Sequence, residues 1–110
     1  MPLSEKARVE VYVPDLPDRT YRDLLGTLQT LFTYRFGGCT LQTGLRGYYL
    51  SQSGTVIPDP VSLIYTDTFY SFADNFSLLS DFADVLREWA AEALEEEAIL
   101  VTVLPVYHSE

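Results

Sequence analysis

Cys39, Asp67 and His108 have the side-chain types of a thiol–imidazole–carboxylate catalytic site, and the chain has only one Cys and one His. The predicted strands bring all three near the same end of a sheet. Because neighbouring strands lie about 4.8 Å apart, His108 would lie two strands from Asp67 and three strands, roughly 14 Å, from Cys39. That separation exceeds the hydrogen-bond reach between a nucleophile and its base. We therefore predict no catalytic residues, and interpret Cys39 as a small apolar residue and His108 as a surface residue.

The spacing of the remaining polar residues does not favour a metal or phosphate site. One His and one Cys do not make a ligand cluster, and Asp15 and Asp18 are better interpreted as acidic surface. The glycines of residues 37–38 and 44–47 do not precede a helix, so they lack the amide cradle and helix dipole of a phosphate loop. We predict no cofactor and no metal, and assign these glycines to turns and bulges.

A group of polar-tipped aromatic residues carries the most specific functional signal. The group consists of Arg46, Tyr48, Tyr49, Tyr65 and Asp67. Small-ligand pockets combine apolar ring surface with a few polar groups in this way, so these residues are the predicted ligand-binding set. Aromatic residues are also enriched at interface centres and on half-buried strands, so packing or an interface is the stronger interpretation of the same residues.

Two segments with different periodicity precede this group. In residues 6–13 apolar residues alternate with polar ones, with Val9, Val11 and Val13 on one side, which predicts a strand with one buried face. A helix is predicted to start at Thr20, whose side chain can cap its first turn, because apolar residues follow at helical spacing. The Gly37–Gly38 pair ends this helix, because glycine adopts the left-handed conformation of a helix C-cap.

The rest of the chain predicts a hairpin, a second helix and a last strand. Residues 39–50 form the first arm of the hairpin, with a bulge or close backbone approach at its glycines, and residues 51–54 form the turn. Pro58 and Pro60 would keep the start of the second arm out of regular pairing, which leaves residues 61–66 as the firm strand. A loop with four aromatic residues follows. The helix over residues 77–94 has a predicted buried stripe of Leu79, Phe82, Ala83, Leu86, Trp89, Ala90 and Ala93.

Residues 99–107 complete the pattern as a strand. The order β-α-β-β-α-β predicts an α+β fold of the ferredoxin-like kind, a four-stranded antiparallel sheet with two helices on one face. The usual crossover handedness places strands four, one, three and two side by side. At 110 residues the chain makes a single domain, residues 1–110.

The sheet face without helices is the predicted interface. If the valines of the first strand face the helices, Arg8, Glu10 and Tyr12 lie on the opposite face. We place Ile64, Leu100 and Leu104 there as well. An exposed surface of this semi-apolar kind usually marks an interaction site. We predict a homo-oligomer, with a two-fold dimer favoured, formed by face packing or by edge pairing of strands.

The acidic charge of the chain argues against two classes of binding partner. Seven basic and 16 acidic residues give a net charge of −9, which opposes binding to nucleic acid and to anionic membranes. We expect no nucleic-acid partner and no membrane association, and the charge fits solubility or a basic partner. With one cysteine and no apolar leader-like segment at the start of the sequence, we expect a cytoplasmic protein.

The order of glycines and aliphatic residues resembles a group of small bacterial proteins known only as a domain of unknown function. The pattern is Gly-Gly-x-Thr after a first helix, Gly plus an aromatic residue, a short Gly turn, and a late Glu-x-x-Leu-Val strand. The matching residues are Gly37, Gly38, Thr40, Gly47, Tyr48, Gly54, Glu97, Leu100 and Val101. The resemblance implies a ferredoxin-like fold and supplies no catalytic residues.

These observations favour a non-enzymatic, homo-oligomeric module that binds a small ligand or a protein partner. One alternative is a small enzyme of the dimeric α+β barrel kind, with its pocket between helices and sheet. Another is an inhibitor or antitoxin-like protein that uses its acidic charge to bind a basic partner.

Overall fold

The computed structural model describes residues 3–95 and 99–109. The elements are β1 (Leu3–Pro14), α1 (Arg19–Phe36), β2 (Thr40–Leu50), β3 (Val56–Asp67), α2 (Phe76–Leu94) and β4 (Leu100–Ser109). The strands form one antiparallel four-stranded sheet in the order β2-β3-β1-β4. Both the predicted fold class and the predicted strand order are confirmed. Glu97, part of the bacterial pattern, lies outside the described residues.

The core lies between the sheet and the two helices. Val9, Val11 and Val13 of the central strand β1 are fully buried, as the alternation predicts. Leu28 and Phe32 of α1 pack on them from one helix, and Leu86 and Ala90 from the other, within one continuous apolar cluster. Because both helices bury their apolar sides on the same face of the sheet, the opposite face is left without a helical layer.

Helix α1 begins one residue earlier than the sequence predicts and ends where predicted. Asp18, not Thr20, caps its first turn, since the Asp18 carboxylate accepts a hydrogen bond from the Thr20 amide at 2.8 Å. This hydrogen bond lowers the pKa of Asp18. At the other end Gly37 has a φ of 91° and its amide donates to the Thr33 carbonyl. The left-handed φ explains why glycine ends the helix.

The β2–β3 hairpin is longer and more regular than predicted. A bulge lies between Gln42 and Leu45, with Gly44 at a φ of 72°. Pro58 and Pro60 pair regularly with Tyr48 and Arg46, which corrects the prediction that they interrupt the strand.

The position of β1 explains why these prolines are tolerated. The Pro60 carbonyl points away from β2 and accepts a hydrogen bond from the Asp15 amide at 2.8 Å, just beyond the end of β1. In an antiparallel strand the N–H and C=O of a residue point to the same side. An N–H group at Pro58 or Pro60 would therefore point past the end of β1, where the described residues place no strand that could accept a hydrogen bond. Proline costs no strand pairing at these two positions.

Three predicted side-chain placements are wrong, those of Ile64, Trp89 and Ala93, the last of which is exposed although the predicted stripe of α2 includes it. Ile64 is fully buried, because its register partner is Val11 and paired residues share a face of the sheet. Ser62 and Thr66 lie on the same helix-facing side, so the open face carries Leu63, Tyr65 and Asp67 instead. Trp89 is 39% exposed rather than part of the core, whereas Leu94, which the predicted stripe omits, is buried. Tyr12, Leu100 and Leu104 do lie on the open face, on paired positions of β1 and β4.

Candidate functional site

A polar cluster on the open face joins three strands at one end of the sheet. The guanidinium of Arg8 on β1 donates from Nε to Asp67 Oδ1 at 2.6 Å and from Nη2 to Oδ2 at 3.1 Å. The same guanidinium lies over the ring of Tyr65, 4.3 Å from its centroid. His108 Nε2 on β4 lies 3.4 Å from Asp67 Oδ2. The hydrogen bonds that Arg8 donates to Asp67 raise the pKa of Arg8. The two parallel bonds make the centre of the cluster a fork-shaped ion pair.

The cluster shows that His108 reaches Asp67, which the strand spacing did not predict. Cys39 remains separated from both residues, as predicted. His108 and Asp67 lie two strands apart, yet their side chains meet because both rise from the open face and reach across β1. Cys39 belongs to the helix-facing side, where its Sγ lies 3.7 Å from Thr33 Oγ1 and 3.9 Å from the Gln29 carbonyl. The thiol and the imidazole are therefore on opposite sides of the sheet and do not form a catalytic pair.

A cavity adjoins this cluster where α1 ends and β2 begins. It has a volume of about 270 Å³ and is lined by Phe36, Gly37, Gly38, Cys39, Thr40, Tyr65, Thr66 and Asp67. Thr66 Oγ1 donates to the Gly38 carbonyl at 2.6 Å, which ties the loop after α1 to β3. The cavity thus places a carboxylate and a phenol beside a short glycine-containing loop, an arrangement suited to a small ligand with polar groups.

The structure divides the five predicted ligand-binding residues into two groups. Tyr65 and Asp67 line the cavity beside Arg8, whereas Arg46 and Tyr48 line a separate surface pocket with Pro58, Asp59 and Pro60. Tyr65 lies five residues along β3 from Pro60, the partner of Arg46, so the groups are roughly 16 Å apart. Tyr49 pairs with Ile57 and is 54% exposed. One pocket cannot contain all five residues.

The residues that the sequence analysis missed in this cluster are Arg8 and its neighbour Glu10. Glu10 lies between Tyr65 and Thr102 on the open face and accepts hydrogen bonds from Thr102 Oγ1 at 2.9 Å and Tyr12 Oη at 3.3 Å. Burial raises the pKa of Tyr12. The alternation of β1 already placed Arg8, Glu10 and Tyr12 on the open face, but their partners lie far away in sequence.

The aromatic loop after β3 is held against the start of β1. Thr68 donates to the Ala7 carbonyl from both its amide and its Oγ1, each at 2.9 Å, and the Ala7 amide donates to the Tyr70 carbonyl. Glu5 then accepts hydrogen bonds from Ser71 Oγ at 2.8 Å and the Phe72 amide at 2.6 Å. The loop therefore continues, beyond Asp67, the pairing of β3 with β1.

These hydrogen bonds make the loop sensitive to acid. The hydrogen bond that Ser71 donates lowers the pKa of Glu5. The stabilisation of the folded protein by the Glu5 carboxylate is therefore complete above the ordinary glutamate pKa of about 4.3, and it is lost as pH falls through the lower pKa that Glu5 has in the folded protein. Glu5→Gln should therefore destabilise the protein at pH 7 more than at pH 3, as measured by chemical denaturation. Ser71→Ala keeps the Glu5 carboxylate but removes one of its hydrogen bonds. The stability of this variant should therefore change less between pH 3 and pH 7 than that of the parent protein. Equal losses at both pH values would contradict this origin.

Among residues 3–95 and 99–109, no three His, Cys, Asp or Glu side chains lie close enough to hold a metal ion. Within the same residues no helix has the length and apolar character needed to cross a membrane.

Comparison with solved structures finds the same fold in several proteins. CutA1 from Oryza sativa superposes with a TM-score of 0.62 at 21% identity, covering 98% of this chain and 85% of that one. The divalent cation tolerance protein CutA1 from Thermus thermophilus gives 0.59 at 19% identity, covering 97% and 88%. A phage SAM lyase in complex with S-methyl-5'-thioadenosine gives 0.61 at 15% identity, covering 96% and 90%.

Sequence comparison adds nothing to this result, because no protein-family model matches the sequence and no curated protein matches it at a significant level. The structural similarities lie below 25% identity and extend over nearly the whole chain. At that identity a shared structure is informative about architecture and not about activity. The chain therefore has the ferredoxin-like α+β fold that the CutA1 proteins share.

Proposed function

We propose that this protein is a non-enzymatic homo-oligomer, with a two-fold dimer favoured, that binds a small ligand at the cavity beside Asp67. The proposal of an oligomer rests on the exposure of the hairpin arm, which we define as residues 45–61. None of these residues is buried in the single chain. A two-stranded ribbon with no covering layer is marginally stable in water, so the arm needs a partner surface.

The apolar residues of the arm support this proposal because they occupy both of its faces. Tyr48 and Leu50 lie on the helix-facing side with Val56, and they are 62%, 71% and 62% exposed. Tyr49 and Ile57 lie on the other side. A strand that faces water on one side alternates apolar with polar residues, whereas a strand covered on both sides does not. The arm of one protomer is therefore proposed to pack against the arm of a second one.

The unpaired edge of β2 supports a two-fold arrangement. Among residues 3–95 and 99–109, strand β2 has β3 on one side and no strand on the other. Antiparallel pairing of two β2 edges would join the two sheets through a self-complementary contact, which is the geometry of a closed dimer. It would also set Tyr48, Tyr49 and Leu50 beside the cross-strand side chains of the second protomer's β2.

The ion pair of Asp67 favours binding over catalysis. The shared fold does not decide between them, since the neighbours include proteins named for divalent cation tolerance and a SAM lyase. Both oxygens of Asp67 are engaged by Arg8, and one also lies near His108. A carboxylate held in this way is a fixed hydrogen-bond acceptor. It is suited to orient a hydrogen-bond donor of a ligand in the cavity. A cytoplasmic location fits the single cysteine, which cannot form an internal disulfide.

Native mass spectrometry of gently purified protein tests both parts of the proposal. The parent protein should give a dimer with a reproducible small adduct. Leu50→Lys should raise the dimer dissociation constant at least about a hundredfold, because each subunit loses a buried apolar side chain. Gln52→Lys, which adds the same charge at the turn, should leave the dimer intact.

The ligand is tested separately by Asp67→Asn. This variant should lose the adduct and keep the dimer, because Asp67 lies outside the arm. A monomer at every concentration would contradict the oligomer, whereas an adduct that survives Asp67→Asn would place the ligand elsewhere.

A further inference from the structure

Helix α2 carries a second apolar stripe that does not face the sheet. One stripe, with Leu79, Leu86, Ala90 and Leu94, is buried against the core. The other contains Leu78, Phe82, Val85 and Trp89, at spacings of four, three and four residues. Leu78 is 51%, Val85 65% and Trp89 39% exposed. Apolar residues at this spacing lie on one side of a helix, so α2 presents an apolar side to solvent.

This second stripe forms one wall of a groove between the two helices. The groove has a volume of about 280 Å³, and its lining residues are Thr27, Leu31, Phe82, Val85, Leu86 and Trp89. Leu86 closes its floor, while Thr27 and Leu31 of α1 form the opposite wall. A channel between two packed helices, lined by aliphatic and aromatic side chains, accepts the apolar side of a third helix.

The charge beside the groove selects the kind of helix that fits. Asp81, Glu88 and Glu92 lie at helical spacing along the solvent side of α2, next to Val85. Arg87 approaches Asp84 and Glu88 only at 3.8 and 3.9 Å, so it neutralises little of this row. A second copy of the chain is a poor occupant of this groove, because a two-fold contact here would bring the acidic row of α2 against the same row of the other copy. An anionic membrane is disfavoured for the same reason.

We propose that the groove between α1 and α2 binds a basic amphipathic helix of a partner protein, with apolar residues against Val85 and Trp89 and Lys or Arg residues against the acidic row of α2. This surface lies on the outer side of the helices, away from the hairpin arm and from Asp67. The interaction is therefore independent of the dimer and the ligand proposed above, and each can fail without the other.

Trp89 makes the interaction directly observable, since it is the only tryptophan of the chain. The probe is a synthetic tryptophan-free helix of leucine and lysine, LKKLLKLLKKLLKL, added to the intact protein. Binding should be saturable and should shift Trp89 emission to shorter wavelength, because the indole loses contact with water. The corresponding peptide with glutamate in place of lysine should not bind.

Val85→Asp separates groove binding from general charge attraction. It removes an apolar contact but makes the protein more acidic, so binding by charge alone would stay equal or become tighter. We expect affinity to fall about tenfold, the value of one buried valine side chain. Ser53→Asp at the hairpin turn, which adds the same charge far from the groove, should bind like the parent.

Two further results decide the proposal if Val85→Asp is poorly folded. Thr27→Arg, on the exposed opposite wall, should also weaken binding of the basic helix, and Glu88→Gln with Glu92→Gln should reduce its salt dependence. An unchanged affinity in the Val85→Asp and Thr27→Arg variants, or no saturable emission change in the parent, would overturn the proposal. Self-association of the parent that Val85→Asp abolishes would assign the groove to a second copy and overturn it as well.

Discussion

Phe32→Ala should lower the free energy of unfolding by about 3–5 kcal/mol, the range for deleting a buried aromatic side chain. Phe32 is fully buried and belongs to the cluster that joins α1 to Val9, Val11 and Ile64. Its ring lies 6.3 Å from that of Phe36, which in turn lies 5.9 Å from Phe82 on α2. Removing the ring therefore opens a cavity where both helices and the sheet meet.

Trp89→Ala is the matched comparison for Phe32→Ala. The sequence pattern assigned Trp89 to the core and would give it the same large cost. Because Trp89 is 39% exposed, its loss should cost only about 1–2 kcal/mol. Urea denaturation of both variants with the parent protein measures the difference. A cost for Trp89→Ala equal to that for Phe32→Ala would show that the helix interface closes over the indole.

Gly47→Ala should destabilise the hairpin arm by about 1–3 kcal/mol, the range for overpacking a close contact. Gly47 pairs with Asp59, and a Cβ at this position would lie 2.7 Å from the Asp59 carbonyl oxygen. The contact is with backbone, so no rotation of a side chain relieves it. The two strands must separate, and hydrogen exchange of arm amides should become faster.

Gly38→Ala provides the control for this effect. A Cβ at Gly38 meets nothing within 4 Å, and its φ is not in the left-handed range. The variant should therefore keep the parent stability and the parent exchange rates. Unchanged exchange in Gly47→Ala would mean that the strands already separate at that point. If the arm forms the proposed dimer contact, Gly47→Ala should also weaken dimerisation.

The fold was predictable because most of its elements have a clear local signal. The alternating valines of β1 and the glycine pair after α1 determine a strand face and a helix end without any distant contact. Strand β3 lacks such a signal, since Leu63 and Ile64 are adjacent apolar residues and both are buried. Its face is decided by the pairing of Ile64 with Val11. That long-range register cannot be inferred from an apolar run.

The candidate site was only partly predictable because its contacts join distant residues. Tyr65 and Asp67 could be selected by type, but the ion pair of Asp67 with Arg8 spans 59 positions. His108 was predicted to lie too far from Asp67 because only the distance between their strands was considered. Side chains on one face of a sheet can reach across an intervening strand. Trp89 was misplaced because α2 has two apolar stripes, and helical periodicity does not state which one faces the sheet.

The central position of β1 has a consequence for how the chain acquires its structure. Strand β1 pairs only with β3 and β4, and Val9 pairs with Val103 close to the far end of the sequence. The most buried strand is thus made before both of its neighbours. The β2–β3 hairpin and the helices can form while β4 is still missing, whereas the sheet closes only once β4 has left the ribosome. Such long-range pairing slows folding, so the apolar side chains of β1 remain uncovered for longer than those of the hairpin.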